Sequence, residues 1–197
     1  MKLVIATRNA HKLEEIHAIF DFQGLEVLSA FDFPEIPDVV EDGDTLEANA
    51  EKKAVEIARA TGCWSMADDS GLEVAELEGA PGVYSARYAG EHCSYADNNE
   101  KLLRELAGKN DRSARFRTVI ALSDPQGNAR TVEGECPGRI IEELRGTNGF
   151  GYDPLFVPDG YAQTFAELDS AEKNRISHRA CALRNAHQAW GGLLQGL

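Results

Sequence analysis

The chain has 197 residues, of which 43% are hydrophobic, so it is long and apolar enough to bury the core of one large domain. Because the sequence contains no repeats and no linker, we predict a single domain over residues 1–197. Its formal net charge of −13 argues against a protein that binds nucleic acid through the phosphate backbone, because such binding needs a basic face. No apolar run is long enough for a membrane helix, and the first residues become polar too soon for a signal peptide. The four cysteines lie far apart and form no C-x-x-C pair, which predicts a cytoplasmic protein with reduced thiols.

The first predicted elements are a buried strand over residues 2–6 and a helix over residues 12–22, where apolar residues recur at helical spacing. The polar loop between them, residues 7–12, presents backbone N–H groups at the start of a helix, which is a favourable place for a phosphate. An ordinary capped turn between a strand and a helix explains the same residues without a ligand. A second strand is predicted over residues 25–28.

An acidic loop, Glu41-Asp42-Gly43-Asp44, then precedes a predicted helix over residues 45–61. Asp44 and Glu47 have the spacing of a capping box, and Gly62 is placed to end the helix. The loop and the helix start therefore concentrate negative charge in one short stretch of the chain.

Three polar residues of this helix, Thr45, Asn49 and Lys53, follow one another at one-turn intervals beside its apolar stripe. A solvated helix face explains an amide and an ammonium in this column poorly. The column is therefore a candidate functional feature.

The next predicted strand ends in two adjacent carboxylates, Asp68 and Asp69, and the Ser70-Gly71 pair is predicted to turn the backbone before another strand over residues 72–77. Like charges held this close resist joint ionisation unless a cation lies beside them. A divalent cation is a common reason to keep both ionised, since Mg²⁺ prefers oxygen ligands. A solvated acidic turn at the end of a strand is the plainer alternative.

The middle of the chain predicts a helix over residues 98–106, then strands over residues 116–122 and 131–136 joined by a hairpin turn at residues 124–128. Hairpins combined with helical crossovers predict a mixed sheet and not a purely parallel one.

A glycine-rich loop over residues 146–154 leads into a predicted apolar strand over residues 155–157. Glycines let a backbone pass close to a ligand, and Phe150 or Tyr152 could stack on a flat ring there. An ordinary tight turn explains the glycines equally well.

The last predicted helix can be capped by Ser177, which places His178 and Arg179 in its first turn. Cations at the N-terminus of a helix interact unfavourably with the helix dipole unless an anion or a carbonyl group lies beside them. This departure from the usual preference for acidic residues in the first turn indicates a functional site at this position.

Taken together, these segments resemble the inosine triphosphate pyrophosphatase family, whose members hydrolyse dITP, ITP and XTP. The matching motifs follow the family's order along the chain: Thr7–Lys12, Glu41–Lys53, Ala67-Asp68-Asp69-Ser70-Gly71-Leu72, Ser85-Ala86-Arg87-Tyr88, Gly149–Phe156 and Ile176-Ser177-His178-Arg179. The resemblance implies an α/β fold with an elongated mixed β-sheet flanked by helices, forming two lobes with the active site in a central cleft. It also implies a homodimer that requires Mg²⁺.

Carried over residue by residue, the resemblance implies four groups of site residues. The triphosphate would be held by Thr7, Asn9, Lys12 and Lys53, in a substrate-binding loop that also contains Arg8, Ala10 and His11. The catalytic acids would be Asp69, at the position of the proton acceptor, and Asp68. The metal ligands would be Glu41 and Asp69. The residues against the nucleotide and around its base would be Ser70, Phe150, Gly151, Tyr152, Asp153, Lys173, His178 and Arg179.

Two places depart from the family's commonest pattern. Asp42 and Asp44 add carboxylates to the acidic loop, which leaves open which acid there binds the metal. Arg8 and His11 fill variable positions and inherit no individual role.

The leading hypothesis is a Mg²⁺-dependent enzyme that hydrolyses non-standard purine nucleoside triphosphates to the monophosphate and pyrophosphate, and so cleanses the nucleotide pool. No nucleic-acid or membrane partner is expected. One alternative is a pyrophosphatase for modified pyrimidine triphosphates, as in the Maf-like proteins. Another is a nucleotide sensor that binds without turnover.

Overall fold

A computed structural model describes residues 2–20 and 24–195 of the chain. The strands and helices are, in chain order, β1 (Lys2–Ile5), α1 (Ala10–Ile19), β2 (Glu26–Ser29), α2 (Leu46–Thr61), β3 (Trp64–Val74), α3 (Tyr95–Glu105), β4 (Ser113–Ser123), β5 (Ala129–Ile140), β6 (Phe156–Pro158), α4 (Ser170–Ile176) and α5 (His178–Gln195). The helix predicted over residues 12–22 begins earlier, at Ala10, and the predicted positions 21 and 22 lie outside the described residues. None of the helices in the described ranges is both long and apolar enough to cross a membrane.

Within the described residues, six strands form one sheet in the order β2-β1-β3-β4-β5-β6. Strand β1 pairs in parallel with β2 and with β3, whereas β5 and β6 are antiparallel. The parallel pairs require crossover connections, which α1 and α2 supply, while the antiparallel pair does not. The predicted α/β fold with a mixed sheet flanked by helices is confirmed.

The chain divides into two compact units, and each has its own core. The first unit comprises the described residues within Met1–Asp69, Thr118–Gly134 and Arg179–Leu197, and the second comprises Ser70–Arg117 and Glu135–His178. The strands β3, β4 and β5 each contribute residues to both units. That the two units form a single two-lobed domain stays a prediction.

The core of the first unit is built from apolar side chains of three strands and two helices. The buried members are Leu3, Ile5, Ile16, Phe20, Met66, Ile120, Leu122, Ala182, Leu183, Ala186, Trp190 and Leu194. Because Leu3 and Ile5 are two apart in β1, they face the same side of the sheet. This core includes Met66 and so supports the segment of β3 that carries Asp68 and Asp69.

The second unit buries a larger share of aromatic side chains. Its core contains Leu72, Val74, Leu102, Leu106, Ala114, Phe116, Cys136, Ile140, Tyr152, Leu155, Phe156, Phe165 and Leu168. The rings of Phe116 and Phe156 meet edge to face with their centres 4.7 Å apart, an arrangement that aromatic pairs prefer. Tyr152, a residue of the glycine-rich loop, belongs to this core and so anchors the loop to it.

Helix α2 buries polar as well as apolar side chains. Its N-cap is Thr45, whose hydroxyl accepts the N–H of Ala48 at 3.1 Å, so the capping box predicted from Asp44 and Glu47 is wrong. Thr45 can replace Asp44 as the cap because its hydroxyl, one residue further along the chain, still reaches a free backbone N–H in the first turn of the helix. The helix ends at Gly62, as predicted, in the left-handed conformation.

Strand β3 continues through the Ser70-Gly71 pair, so the predicted turn at that point is wrong. The glycine has a different purpose. A Cβ on Gly71 would collide with the carbonyl group of Gly82, whose carbon would lie 2.9 Å away. Gly71 therefore permits a close approach of two backbone segments and does not reverse the chain.

The C-terminal part contains a helix that the sequence did not predict. Helix α4 (Ser170–Ile176) begins after Asp169, whose carboxylate accepts the N–H of Glu172 at 2.8 Å. Ser177 ends α4 in an extended conformation, and α5 begins at His178, as predicted. Lys173 is thereby placed on a helix and not in the loop before one.

Candidate functional site

In the first unit, the acidic loop before α2 presents one acid to a buried lysine. The ammonium of Lys53 lies 2.5 Å from a carboxylate oxygen of Glu41. Asp42 instead pairs with Lys52 at the surface, at 2.6 Å, and Asp44 is exposed. The sequence left open which of the three acids of this loop binds the metal, and Glu41 is the one whose carboxylate contacts the Lys53 ammonium.

Lys53 keeps its positive charge although it is buried. Burial lowers the pKa of the ammonium, but the nearby carboxylates of Asp69, Glu41 and Asp68 outweigh that effect, so the pKa lies above its ordinary value. The ammonium also donates to the backbone carbonyl of Asp68 at 2.7 Å and lies 3.8 Å from Oδ1 of Asp69. The Lys53 ammonium thus contacts both Glu41 of the acidic loop and the two aspartates of β3.

Asp68 is held between buried cations. Its Oδ2 accepts hydrogen bonds from Nε and Nη2 of Arg179 at 3.3 and 3.1 Å and lies 3.1 Å from the ammonium of Lys12. Glu15 contacts Nη1 of the same guanidinium. Burial would raise the pKa of the Asp68 carboxyl, but the charges of Lys12, Arg179 and Lys53 hold it well below its usual range. Asp68 is therefore ionised and fixed in place.

Asp69, the next residue, has the opposite electrostatic balance. Burial raises the pKa of its carboxyl, and the charges of Lys53 and Lys12 offset this only in part. Its Oδ2 accepts a hydrogen bond from Nδ2 of Asn49 at 3.2 Å. A carboxylate whose pKa is raised accepts a proton more readily than one bound by cations. Of the two predicted catalytic acids, Asp69 is the better suited to that role.

The loop from Thr7 to Lys12 is a capped turn, as the plainer of the two interpretations predicts. Asn9 caps α1 by accepting the N–H of Lys12 at 3.2 Å, and the Thr7 hydroxyl accepts the N–H of Asn9 at 3.1 Å. Ala10 and His11 are exposed. The capped turn also places the Lys12 ammonium among the buried acids, so the two interpretations are compatible.

Arg8 ties the same loop to the segment that follows β2. Its guanidinium donates to the backbone carbonyls of Phe33 and Ile36 at 3.1 and 2.6 Å and pairs with Asp38. These contacts give Arg8 a structural role. Its predicted membership of the substrate-binding loop stays a prediction.

Glu41 and Asp69 suit a metal that the substrate helps to bind. Both offer hard oxygen ligands, and both face the ammonium of Lys53, at 2.5 and 3.8 Å, so they converge on one positively charged point. In the part of the chain that the structure describes, no group of three or more His, Cys, Asp or Glu side chains could hold a metal ion. Mg²⁺ is usually bound by one or two carboxylates together with substrate phosphates. The donor set therefore fits Mg²⁺ bound with a nucleotide.

The second unit carries another group of predicted site residues around a buried ion pair. The Lys173 ammonium lies 2.7 Å from Oδ2 of Asp153, and both side chains are buried. The same oxygen accepts the N–H of Phe150 at 2.9 Å, and the ammonium lies 4.9 Å from the centre of the Phe150 ring. A Cβ on Gly149, where φ is +72°, would collide with this carboxylate, so the turn requires glycine.

The two aromatic residues of the glycine loop have different surroundings. Tyr152 is buried in the core, where its hydroxyl donates to the carbonyl of Ser85 at 2.8 Å. Phe150 is half-buried. The carbonyl of Gly151, between them, accepts a hydrogen bond from Nδ2 of Asn99 at 2.9 Å. Phe150 is therefore better placed than Tyr152 to stack on a base.

His178 and Arg179 are adjacent but belong to different units. The His178 ring lies parallel to the ring of Phe116, with the centres 4.6 Å apart, whereas the Arg179 guanidinium contacts Asp68. Ser70, half-buried in β3, is the first residue of the second unit. That these residues contact the nucleotide stays a prediction.

Three residues with contacts at these groups are missing from the predicted site. Asn49 belongs to the predicted polar column, but no specific role is assigned to it from the sequence. Glu15 lies one helical turn after Lys12, and this spacing could have indicated it. Asn99 interrupts the buried face of α3, which is a weaker signal.

Comparisons with known proteins agree with the motifs. The family model of the Ham1 family matches residues 3–189. A dITP/XTP pyrophosphatase of Desulforamulus reducens is 53% identical over 188 residues, 94% of each chain. One from Desulfotalea psychrophila is 52% identical over 181 residues, which cover 92% of this chain and 81% of the relative. A solved HAM1 protein from Coxiella burnetii aligns with a TM-score of 0.90 and 40% identity over 98% of this chain and 99% of its own. The resemblance found in the sequence is confirmed, and the chain belongs to the Ham1 family.

Proposed function

We propose that this chain hydrolyses non-standard purine nucleoside triphosphates (dITP, ITP and XTP) to the nucleoside monophosphate and pyrophosphate, with Mg²⁺ as cofactor. It is a nucleoside triphosphate pyrophosphatase, because relatives with that activity in their names are about half identical to it over nearly its whole length. One observation in the structure carries the proposal. Asp69 and Glu41 share a buried cation, Lys53, in the unit that also contains Lys12.

In this proposal, the cations of the first unit bind the triphosphate. Lys12 and Lys53 exchange their contacts with Asp68 and Glu41 in part for phosphate oxygens. The N-terminus of α1, which Asn9 caps, would add backbone N–H groups, a favourable place for a phosphate. Positive charge beside the departing pyrophosphate stabilises the charge that develops there.

Asp69 is the proton acceptor for the attacking water. Its pKa is raised by burial, so it holds a proton more readily than a solvated carboxylate does. Mg²⁺, when bound by Glu41, Asp69 and phosphate oxygens, would supply a Lewis acid that neutralises phosphate charge and lowers the pKa of water. Attack at the α-phosphorus gives the monophosphate and releases pyrophosphate.

Asp68 supports this chemistry without taking part in it. Two hydrogen bonds from Arg179 and the charge of Lys12 fix its carboxylate. A fixed anion next to Asp69 in turn orients Lys12 toward the phosphates. This assigns the two adjacent acids different roles.

The second unit recognises the base through its donors. Inosine and xanthosine carry an acceptor oxygen at position 6, where adenine carries a donor amine. Lys173 and His178 carry N–H donors, which would donate hydrogen bonds to this oxygen but would face the donor amine of adenine without an acceptor. Opposed polar groups in a closed site are costly, so selectivity against adenine of about 100-fold or more is expected. Phe150 would stack on the base, and its position next to Lys173 supports this.

A turnover assay tests the proposal. The purified protein with Mg²⁺ should convert dITP and XTP to monophosphate and pyrophosphate, detected separately from orthophosphate. dATP, dUTP and methylated pyrimidine triphosphates serve as matched controls and should react far more slowly. Release of orthophosphate alone, or preference for the pyrimidines, would contradict the proposal.

Three further properties accompany this function as predictions. Cleansing of the nucleotide pool follows from hydrolysing dITP and XTP before a polymerase can use them. A homodimer is implied by the family resemblance, and a cytoplasmic location is expected from the wide spacing of the four cysteines, which form no C-x-x-C pair.

A further inference from the structure

We propose that Asn49 is a positioning residue that couples the acidic loop to the carboxylate of Asp69 and so sets the geometry of the catalytic acids. The inference rests on the proposed function, since it assigns Asp69 the role described above. Asn49 lies in α2 and is only 1% exposed, although an amide in a helix usually faces water. A polar group buried this completely must be satisfied by specific partners.

Each end of the amide has one such partner. The side-chain oxygen of Asn49 accepts the backbone N–H of Gly43 at 2.8 Å. Its Nδ2 donates to Oδ2 of Asp69 at 3.2 Å. Gly43 stands two residues after Glu41, so one amide joins the loop of one acid to the side chain of the other.

The two partners also fix the orientation of the amide. A backbone N–H can only donate, and an ionised carboxylate can only accept. The position therefore needs an acceptor on one side and a donor on the other, which asparagine supplies. Aspartate keeps the shape and the acceptor but loses the donor, and it places a second carboxylate beside Asp69. Leucine keeps the approximate volume and loses both bonds.

Gly43 shows how closely the loop is held. A Cβ at this position would lie 2.7 Å from the side-chain oxygen of Asn49 and 2.9 Å from the Cβ of Ala48. The loop backbone therefore packs directly on the start of α2, and the Asn49 amide is the group it packs against. A change at Asn49 displaces the loop of Glu41 and the Asp69 carboxylate together.

Partners that orient the ligands of a metal usually affect metal affinity or activity by about 10- to 100-fold when they are removed. We therefore expect a change at Asn49 to lower kcat and to raise the Mg²⁺ requirement by more than a comparable loss of stability would. The residues proposed to bind the base are unchanged in these variants, so at saturating Mg²⁺ the KM for dITP should change little.

The experiment compares Asn49→Asp, Asn49→Leu and wild type with a matched control, Ile57→Ala. Ile57 lies two turns further along the same helix and is buried, so its truncation weakens α2 without removing either hydrogen bond. We expect both Asn49 variants to lower kcat and to raise the Mg²⁺ concentration for half-maximal rate by about tenfold or more. Ile57→Ala should lower Tm but keep both quantities within about twofold of wild type.

Crystal structures of wild type and Asn49→Asp give a readout that needs no turnover. The Asp69 carboxylate should move away from its wild-type position in the variant, with the remaining fold unchanged. If wild type fails to hydrolyse dITP, the proposed function is wrong, and this structural comparison still decides the positioning role. An Asn49→Asp variant with wild-type kcat and Mg²⁺ requirement, or with Asp69 unmoved, would overturn the inference.

Discussion

Two neighbouring carboxylates in β3 differ in what surrounds them. Asp68 lies against Arg179 and Lys12, so its negative charge is matched by cations at about 3 Å. Asp69 accepts a hydrogen bond from the neutral amide of Asn49, and its carboxylate lies further, at 3.8 Å, from the ammonium of Lys53. Adjacent strand residues point to opposite faces, which is how one dipeptide reaches two environments. Burial raises the pKa of both carboxyls; the cations around Asp68 outweigh this effect and lower its pKa, whereas at Asp69 the neighbouring cations and the Asn49 amide offset it only in part, so its pKa stays raised.

Replacing each acid by its amide should separate stability from catalysis. Asp68→Asn removes the carboxylate that pairs with both Arg179 and Lys12, and removing one member of a buried ion pair typically costs about 3–5 kcal/mol of unfolding free energy. Asp69→Asn removes the proposed proton acceptor and should lower kcat by about 100-fold or more. Chemical denaturation and dITP turnover of both variants measure the two effects.

The pH dependence supplies a control for this pair. Because the folded-state pKa of Asp68 is depressed, its contribution to stability is present above the unfolded-state pKa of about 3.9 and is lost as the pH falls below it. The difference in unfolding free energy between wild type and Asp68→Asn should therefore shrink below about pH 4. A stable Asp68→Asn protein at neutral pH, or an active Asp69→Asn protein, would contradict the division of roles.

At the scale of elements, the unbroken course of β3 depends on one glycine. Gly71 lies where β3 passes close to the backbone of Gly82, and a side chain there meets main-chain atoms that cannot rotate away. Gly71→Ala should therefore lower the free energy of unfolding by about 1–3 kcal/mol. Because Gly71 is two residues from Asp69, kcat should fall as well.

Gly192 in α5 provides the matched substitution. A Cβ at Gly192 meets nothing within 4 Å, and alanine is the better helix residue by about 0.5–1 kcal/mol. Gly192→Ala should therefore leave stability equal or higher and turnover unchanged. Equal losses in the two variants, measured by thermal and urea unfolding, would show that the close approach at Gly71 has no special cost.

Elements with a long periodic pattern could be predicted from the sequence, and those set by distant contacts could not. The apolar stripe and Gly62 predict α2 to within one residue at its start. The turn at Ser70-Gly71 was predicted because a Ser-Gly pair commonly marks a turn, but the approach of Gly82 keeps the strand extended. Helix α4 was missed because seven residues are too few for a clear helical period.

The same distinction holds for the candidate site. The motif resemblance predicts Glu41, Lys53 and the two aspartates, and the structure brings these residues together in one unit. It cannot predict that Arg179, 111 residues from Asp68, bonds to that carboxylate. Such partners depend on packing between segments that are far apart in sequence, which no local spacing records.

For the whole molecule, charge limits how a nucleotide can bind. The protein carries a net charge of −13, and a nucleoside triphosphate is itself an anion. Lys12 and Lys53 already contact Asp68 and Glu41, so their charges are partly balanced before the substrate arrives. In our proposal the triphosphate therefore needs additional positive charge, which a divalent ion held by Glu41, Asp69 and the phosphates would supply.

Removing divalent ions should therefore abolish turnover and also weaken binding. We expect EDTA to eliminate dITP hydrolysis and excess Mg²⁺ to restore it. Equilibrium dialysis with an α,β-imido analogue of dITP, which cannot be cleaved, should show affinity at least about tenfold lower without Mg²⁺, because close charge pairs are worth more than about 1.4 kcal/mol in a partly buried site. Hydrolysis that persists in EDTA, or binding that is equal with and without Mg²⁺, would mean that the lysines alone compensate the triphosphate. In that case the convergence of Glu41 and Asp69 on the Lys53 ammonium would be an internal ion pair and not a metal site.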